Sequence, residues 1–301
     1  MSRDWEITFR AWSKPSSETE SERYENAERM IRAAITESPA LTYRDVEVFA
    51  QGSYKNNTNV RLESDVDICV LCSPPFFTDF SLANGFSRED VGLVDSTFSY
   101  AQFKNEVGEA LYAKFGSQSV RRGNKAFEIH ENNYRINADV VPCFEHRRYT
   151  TRSYRGFEYL SGTEFQPDSD SRVVNWPKQH YENGVTKNQA TGNRFKYLVR
   201  TLKCLRNEMA ENGIQAARPI SSFLIECLVW NVPNSGFGHD SYWADVGYVL
   251  AHTFNATLSE SNCHEWGEVN ELKYLFRASQ PWTREQAHDF LNAAWNYIGF
   301  E

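Results

Sequence analysis

Two aspartates separated by a single valine, Asp65-Val66-Asp67, run directly into Ile68-Cys69-Val70-Leu71. A strand turns successive side chains to opposite faces. Val66, Ile68 and Val70 therefore share one face, and both carboxylates share the other. Their Cα atoms then stand about 6–7 Å apart. Acids also alternate with apolar residues on solvated strand edges, so the motif gains meaning only from its surroundings.

Those surroundings carry chemistry on both sides. Upstream, Val46-Glu47-Val48-Phe49-Ala50 reads as a strand that leads into Gly52-Ser53. A glycine-serine turn in that position can hold a phosphate on backbone N–H groups. Downstream, Arg135 to Pro142 reads as another strand and carries Asp139 among Ile136, Ala138 and Val140. Charge in so apolar a strand is costly unless a cation or a donor offsets it. Asp65, Asp67 and Asp139 are thus the candidate metal ligands and catalytic carboxylates. Oxygen ligands beside substrate phosphates suit Mg²⁺, two ions per site, with Mn²⁺ an acceptable substitute. One ion on Asp65 and Asp67 would take the triphosphate of a donor nucleotide. The second, shared with Asp139, would lower the pKa of the attacking hydroxyl. Asp139 is also placed to accept its proton, directly or through water.

Bulk properties narrow the class. The 301 residues suffice for one large domain or two joined ones. A net charge of −8 argues against general nucleic-acid binding, although a local basic cleft stays possible. The six cysteines show no zinc-finger spacing, which points to thiols in a reducing cytoplasm. No apolar run reaches the roughly 20 residues of a membrane span, and the N-terminus lacks an apolar signal core.

Periodicity predicts a helix over about 17–38, a strand at 66–72, a loop over 73–90 and a helix over 95–115. Strands are expected at 118–122, 126–130 and 134–141, and loops over a cleft at 161–193. Four helical stretches follow, at about 189–211, 219–231, 241–257 and 283–297. The expected fold class is α+β: a small mixed sheet with helices, then a helical bundle, with the active-site cleft between them. The expected domains are 1–160 and 161–301.

Gly52-Ser53, Asp65-Val66-Asp67 and Asn137-Ala138-Asp139-Val140-Val141-Pro142 together resemble the DNA polymerase β-like nucleotidyltransferases. With Tyr54 to Arg61 and Asn175 to Asn188 added, the chain resembles the bacterial cGAS/DncV-like nucleotidyltransferases, most closely the CdnE-like clade. The resemblance covers about residues 20–300. It implies a cytoplasmic enzyme that joins two NTPs into a cyclic dinucleotide, a second messenger in anti-phage defence. Its partners would be NTP substrates, an effector that senses the product, and accessory regulators. Cys263-His264 lacks the further cysteines of the zinc insertion in the animal DNA sensor cGAS, so no long double-stranded DNA activator is expected.

The resemblance also assigns roles. Gly52, Ser53, Lys187 and Lys203 would bind the nucleotide phosphates. Asn175 would read the donor base, and an amide with one donor and one acceptor face suits uracil. Asn133 and Asn137 are rival amides, and Tyr54 is a candidate stacking platform. UTP is therefore an expected substrate. Two other readings compete: transfer of NMP to an RNA, protein or small-molecule acceptor, and a non-catalytic nucleotide-binding module.

Overall fold

The computed structural model describes residues 3–60, 65–169 and 171–300. Its strands are β1 (Val46–Gln51), β2 (Val66–Asp79), β3 (Val120–Arg122), β4 (Phe127–Ile129), β5 (Ala138–Ser153), β6 (Gly156–Phe165) and β7 (Val173–Asn175). The helices are α1 (Trp5–Trp12), α2 (Glu18–Thr36), α3 (Gly52–Asn56), α4 (Arg88–Val91), α5 (Tyr100–Phe115), α6 (Pro177–Ala190), α7 (Arg194–Glu211), α8 (Ser222–Trp230), α9 (Tyr242–Thr257), α10 (Glu260–Cys263) and α11 (Arg284–Ile298).

Two compact units result. The first is drawn from the stretches 17–55 and 64–177, the second from 1–16, 56–63 and 178–301. The boundary expected at residue 160 falls inside β6, and neither unit is one continuous stretch. The reason is packing: α1 buries Phe9 in the helical core with Phe195, Leu198 and Leu250, far from its neighbours in sequence.

The first unit is a mixed sheet in the order β1-β2-β5-β4-β3, with β6 added to β5 and β7 added to β6. Among the described residues β2 and β5 run parallel, and the other pairs are antiparallel. Helices α2 and α5 pack on this sheet, and Ile31, Ile35, Phe103, Val107 and Leu111 join Val66, Ile68 and Val140 in its core. The helices begin where local chemistry allows. Ser17 accepts from the Glu20 N–H, and Ser99 forms a reciprocal capping box with Gln102.

Two segments depart from the sequence reading. The loop expected at 73–90 is strand as far as Asp79. The register between β2 and β5 shifts between Cys72 and Phe76, and Pro74-Pro75 lie in that irregularity, where no N–H is needed for pairing. The loops expected at 161–193 are largely β6, β7 and α6. Pro177 occupies the first turn of α6, where its missing N–H costs nothing. The buried face of α6 is His180, Gly184 and Lys187, a helical stripe that contains no apolar residue. The second unit is helical, with α7, α8, α9 and α11 around Leu205, Met209, Leu228, Val246 and Phe290. Among the described residues no helix is long and apolar enough to cross a membrane.

Candidate active site

The parallel ladder places Asp67 of β2 directly opposite Asp139 of β5. Register partners in neighbouring strands project to the same face, about 5 Å apart at the backbone. Asp65 lies one residue ahead of β2 and is exposed, whereas Asp67 and Asp139 are half-buried. The Asp139 carboxyl is pushed up to about 6, first by burial, then by the negative charges of Asp65 and Glu128; Arg121 opposes the shift. The Asp65 charge thus acts on Asp139 by like-charge repulsion.

The glycine turn belongs to the same place. Gly52 follows Gln51, the β1 partner of Asp67. It has φ +67°, a left-handed conformation that favours glycine. A Cβ there would lie 2.1 Å from Asp67 Oδ2. The carboxylate is thus seated against the backbone of the turn. Gly52-Ser53 opens the short helix α3 rather than a simple turn.

All three candidate donors are carboxylate oxygens, the chemistry a hard divalent cation takes. As they lie, no three His, Cys, Asp or Glu side chains among the described residues stand close enough together to hold a metal ion. Glu128 is a fourth acid, opposite Asp139 in β4 and ion-paired with Arg121, whose Nε donates to it at 2.8 Å. Sequence reasoning missed it, although Phe127-Glu128-Ile129 shows the same alternation.

Asn175 ends β7 and faces Thr163 of β6, which in turn faces Glu145 of β5. Glu145 lies six residues beyond Asp139, roughly 20 Å along the strand. Asn175 and the aspartates share one sheet but stand at different points along it. The Asn175 side chain is half-buried and has no hydrogen-bond partner among the described residues. Of its rivals, Asn137 accepts the Glu131 N–H at 2.7 Å, and Asn133 is exposed. Tyr54 stacks on Tyr24 at 5.2 Å, so one face of its ring is covered.

The two lysines are buried in the helical unit. Lys187 donates to the Val232 carbonyl at 2.7 Å and to Asn234 Oδ1 at 3.1 Å, beside the Trp230 and Phe237 rings. Burial lowers its pKa to about 8. Lys203 donates to the Thr58 carbonyl at 3.0 Å and pairs with Glu226 at 3.2 Å. Glu226 also takes Thr58 Oγ1 at 2.8 Å and meets His180 Nε2 at 2.9 Å. Arg200, one turn earlier, donates to the carbonyls of Asn57 and Ser13. Neither lysine turns its ammonium to solvent; each holds backbone carbonyls. The Lys203 network was not legible in sequence, because Thr58, Lys203 and Glu226 are remote from one another along the chain.

Comparison with known proteins fits this geometry. Residues 182–299 match the cGAS/DncV-like nucleotidyltransferase C-terminal helical domain, and residues 30–158 match the nucleotidyltransferase domain. A cyclic dipyrimidine nucleotide synthase CdnE from Legionella pneumophila is 49% identical over 298 residues, 99% of each chain. The chain belongs to the cGAS/DncV-like nucleotidyltransferase family. Other members differ in their bases. A cyclic dipurine nucleotide synthase from Elizabethkingia meningoseptica is 36% identical over 295 residues, 96% of this chain and 97% of that one. The structure of the Rhodothermus marinus CdnE c-UMP-AMP synthase with Apcpp and Upnpp superposes with a TM-score of 0.83 at 32% identity, covering 98% of this chain and 97% of that one.

Proposed function

We propose that this family member joins two NTPs into a cyclic dinucleotide, with release of pyrophosphate and with UTP among its substrates. The observation that carries the reading is the end-to-end identity of 49% to a cyclic dipyrimidine synthase. The opposed pair Asp67 and Asp139 beside Gly52 supports it with a seat for the chemistry.

Asp65, Asp67 and Asp139 would hold two Mg²⁺ ions, which when bound neutralise the triphosphate and acidify the attacking hydroxyl. Gly52 keeps the backbone close to Asp67, and Ser53 would offer its backbone N–H and hydroxyl to phosphate oxygens. Asp139 would also accept the proton of the attacking hydroxyl, directly or through water. With one carboxylate set, the linear intermediate has to turn round before the second bond forms. Asn175 reads a pyrimidine through its unpartnered amide. Lys187 and Lys203 serve nucleotide binding by holding the backbone at Val232 and Thr58. The product is a signal for an effector protein in defence against phage, and accessory proteins regulate its synthesis.

The test is incubation with labelled NTPs and Mg²⁺, with no other acceptor present. A phosphatase-resistant product containing uridine is expected, identified by mass spectrometry with all four NTPs offered. A linear, phosphatase-sensitive product alone would reject cyclisation. No product without an added RNA, protein or small molecule would favour transfer to another acceptor.

A further inference from the structure

We propose that Gly162 and Trp176 determine which base the enzyme accepts, by fixing the position of the Asn175 amide; this rests on the base-reading role given to Asn175 above. Strand β7 has three residues and, among the described residues, pairs with β6 alone, through Thr163, Glu164 and Phe165. So short an edge strand is weakly held by its ladder, and other contacts must fix where it lies. Gly162 provides one. A Cβ on it would stand 2.7 Å from the Asn175 carbonyl oxygen and 2.8 Å from Trp176 Cε3. Both distances are closer than real Cβ contacts, and one is to backbone, which cannot swing aside. Residues 175 and 176 therefore lie flush on the bare backbone of β6.

Trp176 is locked on its other sides. It is 1% exposed. Its ring meets His146 edge-on at 5.3 Å, and the Arg148 guanidinium covers it at 4.7 Å. Those neighbours are held in turn: His146 Nδ1 by Glu164 at 2.6 Å, and Arg148 by Asp79 at 2.7 Å. Pro177 follows, which restricts Trp176 to extended backbone. This chain of fixed contacts ends at a half-buried amide that no described residue engages. Rigid support behind an unengaged polar group is what a discriminating contact needs, because displacement of about 1 Å can cost roughly a hundredfold.

The test compares wild type with G162A, W176F and N175S, each purified and supplied with Mg²⁺ and all four NTPs. Phe lacks the outer ring atoms that touch Gly162, so W176F loosens the seat where G162A crowds it. Both should change the ratio of pyrimidine- to purine-containing product by about tenfold or more. N175S should change it too, and G162A combined with N175S should go no further than N175S alone. Should G162A fail to fold, W176F carries the measurement. Equal loss of all products at an unchanged ratio, in folded G162A and W176F, overturns the inference. A shift in N175S without one in G162A or W176F removes only the inference. An unchanged ratio in N175S removes the base-reading role itself.

Discussion

Asp67 and Asp139 face each other across the parallel pair of strands β2 and β5, and Asp67 leans on Gly52. Asp67→Asn or Asp139→Asn should therefore lower product formation by about a thousandfold or more while the protein still folds. Initial rates with labelled UTP and ATP check this. Retained turnover in either variant would remove the carboxylate pair from the mechanism.

The raised pKa of Asp139 gives a pH signature in metal-free protein. Its folded value of about 6 lies above the ordinary value of about 3.9, so folding favours the neutral acid. The associated stability is fully present below about pH 4 and is lost as pH rises through about 6. In chelator, the melting temperature of wild type should fall relative to Asp139→Asn across that window. Mg²⁺ with nucleotide should close the gap, since binding requires the ionised carboxylate. Parallel melting curves for the two proteins from pH 4 to 7 would contradict it.

Gly52→Ala should cost about a hundredfold in rate, because its Cβ would overlap Asp67 Oδ2 and its φ is left-handed. The strain on the fold should be smaller, about 1–2 kcal/mol. Ser53→Ala should lower activity less, since its backbone N–H survives. Rates and denaturation midpoints measured together separate the two effects. A Gly52→Ala enzyme at wild-type speed would show that the turn tolerates displacement of Asp67.

Lys203 and Glu226 form a buried pair, and the charge on Glu226 is held by Lys203, His180 and Thr58 well below the usual carboxylate range. Lys203→Met should lower stability by about 3–5 kcal/mol by leaving that carboxylate unpaired. Adding Glu226→Gln should restore a large part of it. If Lys203 serves nucleotide binding by holding the Thr58 carbonyl, the double variant, which lacks that donor, should bind UTP more weakly than wild type even though it folds. UTP bound as tightly as by wild type in a stable double variant would remove Lys203 from nucleotide binding.

The alternation in Asp65-Val66-Asp67-Ile68 determined the start of a strand with Val66 and Ile68 in the core, and Val46 to Ala50 determined another, although Gly52-Ser53 opens a helix where a turn was expected. Caps and helical spacing marked α2, α5, α7, α9 and α11 to within a few residues. These signals are local, set by sterics and hydrogen bonds over two to four positions. Strand β2 continued past Pro74-Pro75 because β5 offered a partner that the proline pair did not reveal. Helix α6 was hidden because its buried face is histidine, glycine and lysine. Only the tertiary structure put Asp67 opposite Asp139, laid Asn175 on Gly162 and gave Lys203 to Glu226. Register and charge pairing depend on which distant segments meet, and no periodicity within one segment encodes its partner.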